Sequence, residues 1–398
     1  MPLTNTATRY GSIAKVFHWS IAIGILAMIP LGLIAADAPY GTADELARKA
    51  ALFSIHKTLG VTIFLLALAR IGWAVSQLKP VALHPERRTE TFLAELVHWL
   101  LYGSLVLVPL SGWIEHAATD GFAPILWPFG QALPFVPKSP ALAEIFATAH
   151  WLLQWVLTGS VVLHIAGALK HHVVDRDATL RRMWFGRAEA GTYHAPHRVA
   201  APLGALVVWV ATFGAAWATG AFTTDQRAPR PALTQVESGW QVTEGTLALT
   251  VRQMGKEIEG VFSDWTAEID FDDTPGLGEK GTVSVTVAIP SLTLGSVTTQ
   301  ALGPDFLAGE AHPTATFVAP IVRAEEGYIA DGTLTLKDTE VPVTLPFALD
   351  LTGDEAHVSG GAVLDRRAFG VGKSMTDAQQ LGFEVSVSVD LTATRSAR

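Results

Sequence analysis

The sequence predicts a multidomain membrane protein in which an all-α transmembrane bundle is followed by an all-β antiparallel domain. Three observations carry this. Five apolar stretches of membrane-span length fill the first 218 residues. One of them, Glu144 to His172, holds two histidines, His150 and His164, inside its apolar run. From residue 237 onward apolar and polar residues alternate with period two in segment after segment, the pattern of strands with one buried face.

The composition agrees with such a division. Only 16% of the 398 residues are charged, yet the last part reads as an ordinary water-soluble β protein. A net charge of -9 without a basic stripe excludes nucleic acid as a partner. Cysteine is absent, which excludes disulfides, thiolate-bound clusters and covalently attached c-type haem. The first apolar run is of span length rather than signal length and contains the pair His18-Trp19, so it is expected to remain in the protein.

In the Glu144 to His172 stretch, fourteen residues separate the two histidines. At 3.6 residues per turn this is almost four turns, so both imidazoles leave one face of the helix, about 21 Å apart along its axis. Ionisable residues in a span are costly and mark function, and neutral imidazole is a strong haem ligand. Two of them at this spacing suit one haem near each membrane surface; the plainer alternative is a pair of polar side chains in a helix interface.

The first span runs from about Val16 to Ala35 with His18 near its start, and Arg9 and Lys15 before it set the N-terminus in the cytoplasm. The second covers Ala51 to Val75, with His56 near its outer end, and Arg70, Lys79, Arg87 and Arg88 follow on the cytoplasmic side. The third covers Phe92 to Ile114. The connection from Glu115 to Glu144 carries one basic residue, Lys138, as an outward loop should, whereas the fourth span exits through His171, His172, Arg176, Arg181, Arg182 and Arg187 into the cytoplasm. By depth, His18 matches His164 near the inner surface and His56 matches His150 near the outer one. Four antiparallel helices thus offer two bis-histidine pairs, a normal use of a bundle interior. His98, at inner depth, and His116 and His171, at or beyond the span ends, compete less well; His98, Lys170 and His171 suit haem propionates, a quinone headgroup or the interface.

The run Arg9-Tyr10, His18-Trp19, His56-Lys57-x-x-Gly60, His150, the block from Leu163 to Asp177 (LHIAGALKHHVVDRD) and Leu180-Arg181-Arg182-Met183 resembles the bacterial cytochrome b561 family over residues 6–190. The resemblance implies a four-helix, di-haem b membrane protein exchanging electrons with quinone, and one branch of that family is associated with superoxide oxidation. Carried onto this chain, the family's iron ligands fall on His18, His56, His150 and His164, the four that depth selects.

After a polar loop, Ala188 to Arg198, a fifth span (199–219) contains no ionisable residue and reads as an anchor that delivers the following chain to the outer face. The linker 220–236, with Pro229 and Pro231, reaches roughly 50 Å when extended, at about 3.3 Å per residue. Alternation is clearest at Leu247 to Val251, Val283 to Ile289, Val341 to Leu349 and Phe383 to Leu391, with Gly255, Asp331-Gly332 and Gly360-Gly361 as expected turns. Strands without substantial helix predict a sandwich or a closed barrel; about eight strands enclose side chains or one small ligand. His312 and His357 stand alone in the sequence and are read as surface or loop residues.

Met254-Gly255, Gly260-x-Phe262-Ser263, Phe271-Asp272, Gly309 to Phe317 with His312-Pro313, Gly332-Thr333-Leu334 and Asp365-Arg366-x-x-Phe369-Gly370 are similar to the YceI-like family over residues 237–396. That resemblance implies a periplasmic lipocalin-like barrel that binds long polyisoprenoid chains, including quinone tails. It departs where the family's usual histidine-serine pair is replaced by Glu244-Gly245-Thr246. Val261, Phe262, Trp265, Phe317, Phe347 and Phe369 are candidate inward, lipid-contacting positions, with core filling as the alternative.

The full expectation is an all-α transmembrane four-helix di-haem bundle plus a fifth transmembrane helix, then an all-β lipocalin-like antiparallel barrel. It would sit in a bacterial inner membrane with two haem b and an isoprenoid quinone of ubiquinone type, and the sequence leaves monomer and homodimer open. The competing reading is a membrane-anchored polyisoprenoid carrier or sensor in which the haem part is secondary, and a third is a ferric reductase-like conduit. The charge pattern predicts residues 76–91 and 173–198 inside and 36–50, 115–143 and 221–398 outside. A reporter that functions only in the periplasm, fused after Arg398, is expected to be active; activity confined to a cytoplasmic reporter contradicts this topology.

Overall fold

A computed structural model describes residues 2–80, 83–84, 86–119, 123–184, 199–222, 233 and 238–396. The loop Ala188 to Arg198 and most of the linker 220–236 lie outside the described residues. The chain falls into two compact units, one helical and one a barrel.

The helical unit contains α1 (Ser12–Asp37), α2 (Ala43–Val75), α3 (Arg88–Ala117), α4 (Pro140–Val173), the short α5 (Thr179–Met183) and α6 (Ala200–Ala218). All but α5 are long and apolar enough to cross a membrane. The first four exceed the apolar runs that reveal them. In α4 the extra turn comes from capping: Ser139 Oγ accepts from the Leu142 amide at 3.3 Å, with Pro140 in the first turn, where a missing N–H costs nothing. Hydropathy marks the hydrocarbon-length segment, and local hydrogen bonding then sets the ends. Thr179–Met183 was not expected as a helix.

Ile21 and Ile25 of α1, Ile63 and Ala67 of α2, Leu105 and Val108 of α3 and Leu153 and Leu157 of α4 form one buried cluster, with Trp209 and Phe213 of α6 against it. Leu33, Ile34, Val162, Leu163, Val207 and Val210 face outward. In water so much exposed apolar surface would drive association; around a membrane span it meets lipid. The fifth span is therefore packed into the bundle through a specific contact. A Cβ on Gly103 would lie 2.1 Å from the Trp209 ring, so the indole occupies the space a side chain at 103 would need.

The barrel unit runs β1 (Trp240–Gln253), β2 (Lys256–Phe262), β3 (Trp265–Phe271), β4 (Gly278–Ala288), β5 (Leu292–Thr293), β6 (Thr314–Arg323), β7 (Tyr328–Leu336), β8 (Thr339–Thr352), β9 (Glu355–Asp365) and β10 (Leu381–Arg395). Eight of these close antiparallel in the order β1-β10-β9-β8-β7-β6-β4-β3, with β1 meeting β3 at Trp240 and Ile269. The remaining edge of β1 is taken by β2, which carries β5. Closure removes the unpaired edges that an open sheet exposes.

Of the expected turns, only Gly255 is one. It follows Met254, and their φ values of 78° and 50° form the two-residue hairpin that suits strand twist. Asp331-Gly332 and Gly360-Gly361 lie inside β7 and β9. A Cβ on Gly332 would be 2.2 Å from the Val318 carbonyl oxygen, and one on Gly360 2.6 Å from that of Pro346. These glycines permit close backbone approach across the sheet rather than reversal. Ile289, expected at a strand end, begins a 3-10 turn, Ile289–Ser291.

Gly103→Val is expected to lower the thermal midpoint of the detergent-solubilised protein by an overpacking cost of about 1–3 kcal/mol. Gly159→Ala, whose Cβ meets nothing within 4 Å, is expected to be neutral or mildly stabilising on helix propensity. Equal behaviour of the two would show that the Gly103–Trp209 contact contributes nothing.

Candidate haem and lipid sites

At the end of the bundle where α1 begins and α4 finishes, three histidines converge. His18 and His164 have ring centroids 6.1 Å apart with planes at 59°, and His98 stands edge-on to His164 at 5.1 Å. The His98 Nδ1 donates to the Ala94 carbonyl of its own helix at 2.6 Å. Arg70 of α2 approaches His18, Nη2 to Nδ1, at 3.4 Å. Trp19 Nε1 donates to the Met183 carbonyl at 2.8 Å and Lys15 Nζ to that of Trp184 at 2.7 Å, which ties the α5 segment to α1 beside His18.

The other end holds His56 on α2 and His150 on α4, which are electrostatic neighbours. The His150 Nδ1 donates to the Val108 carbonyl at 2.8 Å, next to Pro109, which interrupts the hydrogen-bond ladder of α3. With the proton fixed on Nδ1, Nε2 is left as an acceptor, the form in which imidazole binds a metal. A Cβ on Gly112 would lie 2.9 Å from this ring, and one on Gly32 2.8 Å from the His56 ring. Both imidazoles therefore rest in cradles that any larger residue would fill. The His56 Nδ1 is buried without a hydrogen-bond partner, a polar atom the protein leaves for something else or at a cost.

These residues fit a bis-imidazole haem. With metal–nitrogen bonds of about 2 Å, as for zinc–imidazole, two rings on opposite sides of one metal have centroids about 6 Å apart. His18 and His164 are at that separation; His98 and His164 are too close for a metal between them.

Beyond the spans the chain carries a polar network. His171 Nδ1 and His84 Nε2 both reach Asp177 Oδ2, at 2.7 and 3.1 Å, with the two rings stacked 3° from parallel. Lys170 joins Glu90 at 2.8 Å and Asp175 at 3.0 Å, and Arg87 reaches both at 3.3 Å. Burial opposes ionisation of Asp177, but hydrogen bonds from Thr179 and His171 hold its pKa down, at about 2. Glu90, His171 and Asp175 lie close enough for a metal, yet Lys170 and Arg87 already supply their counter-charge. His171 and Lys170 thus belong to this network and not to the histidine pairs, and His116 is a half-buried neighbour of His56 and His150.

The barrel encloses a cavity of about 290 Å³ lined almost wholly by apolar side chains. Phe262, Trp265, Phe317, Phe347 and Phe369 line it. Val261 does not: it is 41% exposed on the outer face. Adjacent strand residues point to opposite faces, so Val261 and Phe262 cannot both point inward. The polar exception in the lining is Arg366. Its guanidinium donates to the carbonyls of Gly382, Val371, Gly372, Met375 and Leu381, which uses its donors and pins the loop before β10. His312 is not isolated, since it lies 3.3 Å from Asp338. His357 is on β9 rather than in a loop, exposed and 3.7 Å from Asp390.

The sequence marks Arg70 only as a cytoplasmic-side cation and Arg366 only as a motif residue, and gives no sign of the contact of Arg70 with His18, of the Val108 carbonyl on His150 or of the carbonyls around Arg366. A backbone carbonyl aimed at a ring has no sequence signal.

A membrane helix bundle with paired histidines turned into its interior defines a membrane-bound b-type cytochrome. Residues 9–186 match the model of prokaryotic cytochrome b561, and residues 239–393 match that of the YceI-like domain. The chain is 31% identical over 183 residues to "Cytochrome b561 homolog 2" of Escherichia coli, covering 46% of this chain and 95% of that protein. It is 29% identical over 130 residues to "Probable superoxide oxidase CybB" of Yersinia pestis, covering 32% and 72%. Among solved structures, Burkholderia cenocepacia BcnA is 28% identical, covering 38% of this chain and 96% of its own, with a TM-score of 0.35. The chain belongs to the cytochrome b561 family, carries that family's haem b, and continues into a YceI-like barrel.

Proposed function

We propose that the protein is a di-haem electron carrier of the bacterial inner membrane that exchanges electrons with the quinone pool, and that its barrel, on the periplasmic side, holds an isoprenoid quinone or a related lipid. The observation that carries the haem reading is the 6.1 Å spacing of His18 and His164. His56 and His150, held by their glycine cradles, form the second pair. Bound haem supplies a one-electron couple at each end of the bundle. The four histidines would supply nitrogens to the iron, the Val108 carbonyl fixes the His150 tautomer, and the Ile21 to Leu157 cluster excludes water.

The barrel's apolar lining favours a hydrocarbon tail, at about 0.8 kcal/mol per buried CH₂. The positive-inside pattern supports placing the barrel on the side of His56 and His150. Tethering then raises the local concentration of a carried quinone there toward about mM. Superoxide, named for the Yersinia relative, is the donor to try first.

His56→Ala or His150→Ala is expected to remove one haem, and His18→Ala or His164→Ala the other, because each needs both imidazoles. Reduced-minus-oxidised spectra measure this, and full haem content in all four variants rejects the ligand set.

The barrel's part is tested by re-oxidation of reduced haem with a long-tailed quinone. Ala362→Trp, which fills the cavity from its lining, and a chain ended near Gly220 are both expected to be slower than the full protein. Equal rates, with no quinone in organic extracts of the full protein, reject the coupling and leave the cytochrome reading intact.

A further inference from the structure

Arg70 lies on α2 five residues before its end at Val75, about 7.5 Å along the axis, toward the cytoplasmic end of the apolar run from Ala51 to Val75 and among the helices of the bundle. Among the described residues no carboxylate pairs with it. Its partners are the His18 Nδ1, 3.4 Å from Nη2, and the Tyr102 ring, 5.6 Å from the guanidinium carbon. A half-buried guanidinium held against an imidazole and a phenol ring is costly without an anion, so its chemistry suits a carboxylate.

The contact with His18 also carries information about protons. Guanidinium only donates, so Nδ1 accepts from Arg70 only in the tautomer with its proton on Nε2. A metal on Nε2 reverses this: Nδ1 then carries the proton, and two donors face each other. His150 has no such conflict, because its Nδ1 already donates to the Val108 carbonyl. A metal held by the His18 Nε2 would therefore leave Arg70 without an acceptor on that imidazole, as a guanidinium free to take a carboxylate.

We propose that Arg70 is the anchor for a porphyrin propionate of the haem held by His18 and His164, an inference that rests on the ligand reading above. Guanidinium and carboxylate match as a two-pronged ion pair. The pair would neutralise the charge on each partner at once and would hold the bound porphyrin in one orientation. The two haem sites then differ in kind: one is held by an ion pair to Arg70, the other through steric cradles and a preset tautomer. A cation beside the porphyrin also favours the reduced, less positive state, so removing it lowers the midpoint potential of that haem alone.

The test uses the full chain, produced without haem and titrated with haem or with its dimethyl ester, whose propionates carry no charge. In a His150→Ala background only the His18/His164 site reports. There the protein is expected to prefer haem over the diester about tenfold. Arg70→Gln is expected to abolish that preference and lower the midpoint potential by tens of mV, a tenfold change being 59 mV for one electron. Arg70→Lys, which keeps the charge but not the fork, is expected to restore part of both. A preference and potential unchanged in Arg70→Gln overturn the anchor. If that variant does not fold, as judged by loss of the His56/His150 haem in an otherwise unmodified chain, the ester comparison on unsubstituted Arg70 decides: equal affinity for haem and diester overturns the proposal, and a preference for haem supports it. Haem binding unaffected by His18→Ala would instead reject the ligand reading itself, which separates the two failures.

Discussion

Hydrocarbon offers an imidazole nothing to bond with, so each histidine inside the bundle depends on what another part of the protein brings to it. Helical backbone satisfies itself, but side-chain nitrogens do not. His150 borrows the carbonyl of Val108 from a neighbouring helix, His98 takes that of Ala94 on its own, and His18 takes the guanidinium of Arg70. The His56 Nδ1 has no hydrogen-bond partner among the described residues. These four arrangements assign the histidines different chemistry although the residue is the same. His98 is turned to its own helix and sits too near His164 to share a metal with it, whereas His18 stands at the distance a shared metal requires.

The glycines follow from the same crowding. Gly32 and Gly112 leave room for rings, Gly103 for the indole of α6, and Gly332 and Gly360 for neighbouring backbone. Of the glycines expected as turns only Gly255 reverses the chain, while Gly327 and Gly353, both at positive φ, turn it between β6 and β7 and between β8 and β9. Glycine in this protein mostly marks where something large must come close.

The barrel meets the complementary constraint. Its lumen is apolar and its ring of strands is closed, so neither polar side chains nor free edges compete for water inside. Arg366 is the exception that fits the rule: it is buried, and its donors end on backbone carbonyls of the loop before β10 and of the first two residues of β10. That makes it a clasp for the loop rather than a charge offered to a ligand. Membership of the cytochrome b561 family accounts for the bundle and its haem, and the YceI-like match accounts for the barrel. The two domain types are joined in one polypeptide.

The sequence by itself determined the five apolar helices, the period-two strands and the set of histidines at matching depths, because hydropathy and periodicity are written residue by residue. It also offered Phe262, Trp265, Phe317, Phe347 and Phe369 among its candidate inward residues, and these line the cavity, the first four from strands and Phe369 from the turn after β9. Strand alternation argues against Val261, which adjoins Phe262. Tertiary structure alone decided the rest. Asp331-Gly332 reads locally as a turn, and only the neighbouring strand's carbonyl shows why it is not one. The separation of His18 from His164 as against His98, the carbonyl that sets the His150 tautomer, and the arginine waiting beside His18 all arise between helices. Contacts across helices depend on packing angles and rotamers that no local pattern encodes.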